Sequence, residues 1–192
     1  TAVSTFVAQA LGAGRVQEIR RWVMISLLVV PIASLIAWTG LPWLPQAISL
    51  FQTRAEVVPH LLSYLSVLVW GMPFLLLTFV FSSFCRGLGD MITPMVLTLV
   101  AIVINAVLDI ILVFGYLGAP AMGVPGAALA SVIATAIAAV LYVAVYLKPA
   151  HHATFGTRIM EFPTVSEIKR FLTVGVPIGA SWAFENLAWM FM

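Results

Sequence analysis

The sequence predicts an all-α integral membrane protein, a multi-spanning helix bundle, and three observations carry that prediction. Of the 192 residues, 62% are hydrophobic and 8% charged, where ordinary soluble domains carry about 25% charge. The apolar residues are gathered into runs of the length a helix needs, about 20 residues at roughly 1.5 Å each, to cross about 30 Å of hydrocarbon. None of the runs breaks into the alternating segments of roughly ten residues that a transmembrane barrel requires. Packed helices are then the way to satisfy every backbone N–H and C=O in lipid.

Taken in order, a half-length apolar run occupies residues 1–11, followed by longer ones at 22–51, 57–84, 92–115, 123–147 and 171–192. The chain opens on Thr1 partway along an apparent helix and ends in an apolar run, so it reads as an internal fragment; no basic segment with a cleavage site marks a signal peptide. Pro31, Pro73 and Pro177 fall within or near the starts of runs, where a missing N–H and a ring clash bend a helix. Gly126, Ala130 and Ala134 recur at i, i+4, i+8 and offer a smooth face for close helix packing. The lone Cys85 excludes an internal disulfide and a cysteine-rich metal site. No phosphate-binding GxxxxGK[ST] loop is present, so the chain is not expected to hydrolyse nucleotide.

Loop charge sets the expected orientation. Arg15, Arg20, Arg21, Arg86, Lys148, Arg158, Lys169 and Arg170 fall in alternate connections on one side, and only Arg54 falls on the other. By the positive-inside rule the first group is cytoplasmic, in a cell (inner or plasma) membrane.

Polar residues inside the runs need a reason, because an ionised Asp at a helix centre costs about 2.5–3.5 kcal/mol on insertion scales. Asp109 stands in AIVINAVLDIILVFG with Asn105 one turn before it on the same helical face. Their oxygens suit a small hard cation such as Na+, and a desolvated carboxylate suits a proton carrier; a buried polar pair that only fixes helix packing is the other reading. Glu185 poses the same question between Trp182 and Trp189, at i−3 and i+4. Those rings would flank the acid as a seat for a lipophilic cation or else pack against lipid. Ser181 lacks the nearby imidazole that an intramembrane serine protease needs, since His60, His151 and His152 lie at run ends or in a loop. The adjacent His151 and His152, without carboxylate or thiolate company, read as solvated rather than as metal ligands.

Four stretches in order, TAVSTFVAQALGAGR (1–15), FCRGLGDMITPM (84–95), NAVLDIILVFG with GVPGAALAS (105–115 and 123–131) and VGVPIGASWAFE (174–185), resemble the multidrug and toxic compound extrusion (MATE) transporters. The resemblance implies about twelve helices in two lobes and places this chain as 1–147, a partial N-terminal lobe from the end of helix 2 through helix 6. Residues 148–169 would be a cytoplasmic inter-lobe loop, and 170–192 a truncated helix 7. It implies a secondary active exporter of amphipathic, often cationic, drugs, antiporting against Na+ or H+ by alternating access, with no cofactor, monomeric at full length and partnered by the lipid bilayer. The chain is read as a transporter rather than an enzyme, with no nucleic-acid partner. On this resemblance Asn105 and Asp109 match an N-x-x-x-D ion site joined by the hydroxyl of Ser131. Glu185 matches the helix 7 acid of the NorM-like branch, and Trp182 and Trp189 would line the cavity. Arg86, Gly87, Gly89, Asp90 and Pro94 match a cytoplasmic turn, assigned to gating or folding, with the glycines reversing the chain and Pro94 starting the next helix. A lipid-linked oligosaccharide flippase of the same superfamily is the alternative, and it would need basic residues in its cavity.

Overall fold

The computed structural model describes residues 2–49, 54, 56–118, 120–157 and 162–190, with the side chains of 47, 182, 183, 186, 187, 189 and 190 also outside the described set. Among the described residues the chain is helical, without strands, in the order α1 (Ala2–Gly12), α2 (Val16–Thr39), α3 (Leu44–Ser49), α4 (Val58–Leu68), α5 (Met72–Gly87), α6 (Ile92–Phe114), α7 (Val124–Tyr146), α8 (Pro149–Phe155) and α9 (Val165–Met190).

Four stretches are long and apolar enough to cross a membrane among the described residues: Val16–Gln46, Val58–Gly87, Ile92–Phe114 and Val124–Tyr146. The predicted fifth, 171–192, falls on α9 and extends past the described residues; α9 is not among the four. Helices also outrun the apolar residues that predict them. The helix α2 begins at Val16 rather than 22, because nothing in VQEIRR opposes helix and its polar ends can remain in water.

The segment expected to be a loop, 148–169, holds α8 and the first turn of α9, and local capping explains both. Pro149 opens α8 just after Lys148, where its missing N–H is no loss, and Gly156 closes it in the left-handed region at φ 65°. Thr164 and Glu167 start α9 as a capping box: Glu167 Oε2 accepts from the Thr164 N–H and hydroxyl, both at 2.8 Å.

By contacts the chain divides into two compact units, Thr1–Leu28 with Val80–Pro94 and Val145–Met192, and Val29–Phe79 with Met95–Ala144. The first holds eight of the nine basic residues, and the second only Arg54. The core of the first unit is aromatic. Phe6 stacks on Trp22 at 4.4 Å and on Phe171 at 5.7 Å. Phe84, fully buried, meets Tyr146, His151 and Phe155 edge-on at 5.0, 5.6 and 6.0 Å, the arrangement that ring quadrupoles favour. His151 therefore differs from the solvated residue expected: it is half-buried on Phe84, with Nδ1 2.8 Å from the Val145 carbonyl.

In the second unit the small-residue face of α7 is buried, with Gly126, Ala130 and Ala134 all inside. A Cβ on Gly126 would sit 2.6 Å from the Leu112 carbonyl oxygen, so only glycine admits this approach of α7 to α6. The intervening turn is tight, with Gly115 and Gly118 at positive φ. The returning chain satisfies the end of α6, as Met122 N–H donates to Leu112 O at 2.9 Å and Gly123 N–H to Val113 O at 3.3 Å.

Between α4 and α5 the helix tightens to a 3-10 turn, Val69–Gly71, just before Pro73. Pro73 has no N–H for the Val69 carbonyl. The Val69 carbonyl accepts instead from the Met72 N–H that closes the 3-10 turn and from the Trp38 indole, the latter at 3.0 Å.

Candidate ion-binding site

The α6–α7 hairpin builds this site. The Gly126–Leu112 contact fixes the register of two antiparallel helices, and from it Asn105 lies two turns down α6 and Ser131 somewhat more than one turn down α7. Asn105, Asp109 and Ser131, all half-buried, meet here. In the amide orientation that satisfies all three, Asn105 Nδ2 donates to Asp109 Oδ2 at 3.3 Å, while its carbonyl oxygen accepts from the Ser131 hydroxyl and N–H, each at 3.2 Å. With the amide reversed, Nδ2 donates to Ser131 Oγ at 3.2 Å and the bond to Asp109 is lost; the first orientation uses more of the available polar groups. Among the described residues, the buried Asp109 Oδ1 has no hydrogen-bond partner. A buried acceptor left open costs about 1–3 kcal/mol, and more when charged. The site therefore presents a carboxylate oxygen with unmet capacity, beside an amide oxygen and a hydroxyl, a set that suits a proton or a small hard cation.

Thr135, one turn beyond Ser131, belongs beside this cluster and was not anticipated. Its hydroxyl donates to the Ser131 carbonyl at 2.7 Å. The spacing S-x-x-x-T was the signal that could have found it.

The other candidates are placed elsewhere. Glu185 lies in the first unit, on an exposed stretch of α9. The side chains of Trp182 and Trp189 lie outside the described residues. Ser181 donates to the Pro177 carbonyl at 3.0 Å. Among the described residues no three His, Cys, Asp or Glu side chains gather as a metal site.

In the 84–95 turn, Gly89 takes φ 84° and reverses the chain. Gly87 has a different place from the reversal expected of it: it ends α5, and a Cβ there would lie 2.6 Å from Val7 Cβ, so it allows α1 to approach. Asp90 Oδ1 accepts from the Thr93 N–H at 2.9 Å and caps α6, with Pro94 following in the first turn. The Thr93 side-chain and backbone hydrogen bonds hold the Asp90 carboxyl below its ordinary pKa. Arg86 is exposed and makes no ion pair with Asp90 among the described residues.

Comparison with known proteins places this geometry in context. The family model described as MatE matches residues 1–111. The chain is 33% identical over 189 residues to the "Probable multidrug resistance protein YoeA" of Bacillus subtilis, covering 96% of this chain and 41% of that protein. It is 30% identical over 182 residues to the "Probable multidrug resistance protein NorM" of Thermotoga maritima, covering 94% and 38%. A solved structure described as the outward-facing conformation of a multidrug resistance MATE family transporter of the MOP superfamily superposes with a TM-score of 0.82 at 26% identity, over 99% of this chain and 42% of that one. The chain thus spans about two fifths of the length of these relatives.

Proposed function

Since the chain belongs to the MatE family, we propose that the protein containing it is a secondary active multidrug exporter, taking in Na+ or H+ through the Asp109 cluster as amphipathic or cationic drugs leave. The observation that carries this reading is the buried Oδ1 of Asp109, without a hydrogen-bond partner among the described residues, beside the Asn105–Ser131 bridge.

The chemistry follows from charge in a low dielectric. An empty Asp109 carboxylate is costly in the membrane, and a proton or a monovalent cation neutralises it. Asn105, anchored at its carbonyl by Ser131, steadies Oδ2 and leaves Oδ1 to take the ion. Loading from the side rich in the ion and release on the other side would bias two conformations of the carrier, because an ion shifts an equilibrium by as much as its affinities for the two states differ. The relatives' description as probable multidrug resistance proteins supports a drug as the exported species. The flippase alternative would need cations for a lipid-linked phosphate, and the unit that holds the cluster has Arg54 as its one basic residue. In this reading the basic unit faces the cytoplasm, Glu185 serves the other half of the full-length protein, and the Arg86–Pro94 turn acts in folding or gating.

Full-length protein in vesicles tests it. Asp109→Asn removes the exchangeable charge and is expected to abolish export of a cationic dye driven by a Na+ or pH gradient. Export by the variant at the unsubstituted rate would sink the proposal.

A further inference from the structure

The first unit contains a junction that the ion site does not use. Arg21 on α2 pairs with Glu167 at the start of α9, Nη1 to Oε1 at 3.2 Å, across 146 positions of sequence. One turn on, the Arg170 guanidinium carbon lies 5.8 Å from the Phe6 ring centre and 5.9 Å from that of Trp22, within cation–π range of two rings that stack on each other. Phe171 packs on Phe6 from the same side, and Gly175 faces Ala2, where a Cβ would come within 3.6 Å of the Ala2 methyl carbon. Beyond Gly175 the described side chains of α9 are exposed, Val176 at 63% and Phe184 at 71%. The helix is therefore held to α1 and α2 by its first three turns.

Three features of the junction bear on how it could part. Its polar elements are an ion pair and a cation over rings, which water can replace when they separate, and beside them α9 sets the buried Phe171 on Phe6 and Gly175 near Ala2. Burial works against ionised Glu167, yet the Thr164 hydrogen bonds and the Arg21 guanidinium overcome this and keep its carboxyl below the ordinary pKa. The two oxygens of Glu167 also have separate duties, Oε1 to Arg21 and Oε2 to Thr164. The pair can break without uncapping α9.

We propose that Arg21–Glu167 and Arg170–Phe6–Trp22 form a latch that fastens α9 to the α1–α2 hairpin and must release in each transport cycle. This rests on the exporter reading for its role in the cycle. The latch itself can be tested by distance alone.

Spin labels at Gln17→Cys and Lys169→Cys, both exposed positions, report the α2–α9 separation in cysteine-free full-length protein. Glu167→Gln removes the charge and keeps the cap, since Gln also reaches back to the cap N–H. It is expected to raise the ratio of long to short distances about two- to fivefold, the range of a partly solvated pair. Arg21→Gln should do the same, and the double variant should open no further than either single one. Unchanged distances, or effects that add, overturn the latch. In a second arm, an Arg21→Cys/Glu167→Cys pair is oxidised; cross-linking should stop dye export, with recovery on reduction. A pair that cross-links without slowing export overturns the requirement for release. Protein that opens by distance but exports nothing under any gradient would contradict the exporter reading and leave the latch standing.

Discussion

At the scale of single residues, the chain places glycine and short polar side chains where geometry leaves no alternative. Gly126→Val puts a branched side chain against the Leu112 carbonyl, already within 2.6 Å of a bare Cβ. The α6–α7 hairpin should lose about 1–3 kcal/mol, read as a lower melting temperature of the full-length protein in detergent. Asp90→Ala removes the α6 cap and should cost about 1 kcal/mol by the same measurement. Asp90 and Glu167 also set a pH dependence. Both carboxyls are held below their ordinary values in the fold, so their stabilisation is complete above the unfolded pKa, about 4, and is lost as pH falls through the lower folded values. Melting temperature should fall on acidification, with a shallower slope in Glu167→Gln; an identical slope would contradict the assignment. The Asn105–Asp109 pair was legible from i, i+4 spacing alone, because that relation is internal to one helix. Ser131 was not, because its position opposite Asn105 depends on the turn at 115–123 and on the Gly126 contact, which are tertiary facts.

At the scale of elements, the break between α4 and α5 shows how a membrane helix accommodates proline. The Val69 carbonyl has no donor at Pro73 and accepts instead from the Met72 N–H of the 3-10 turn and from the Trp38 indole. Trp38→Phe should therefore destabilise by about 1 kcal/mol. In a Pro73→Ala background, where residue 73 can again donate to Val69, the same substitution should cost measurably less. Equal costs in the two backgrounds would deny that the indole compensates for the N–H missing at Pro73. Pro73 was legible in the sequence as a bend, but the donor that repairs it was not, since Trp38 lies 31 positions from Val69 in sequence. Elsewhere the misplaced boundaries have a common cause. Apolar runs report the portion of a helix that meets lipid, whereas caps report where the helix begins. The T-V-S-E box at 164–167 and the proline after Lys148 were present to be read, and they turn part of an expected loop into helix.

At the scale of the whole molecule, the fold class followed from composition, because so few charged residues leave water-exposed architectures without a surface. Orientation is argued from charge, and the gathering of eight of the nine basic residues into one contact-defined unit supports it. Tyr116→Cys, at an exposed position in the α6–α7 turn, should react with a membrane-impermeant maleimide on intact cells. Arg86→Cys should react only after permeabilisation, and the opposite pattern would invert the topology. The same α6–α7 turn bears on how such a protein is made. Because few residues separate the two helices and Gly126 lets them close tightly, they are suited to entering the bilayer together as one hairpin, with Asn105, Asp109 and Ser131 turned toward each other from the outset. The most expensive side chain in the segment would then be shielded by its own neighbours during biogenesis, before any later helix arrives to surround it.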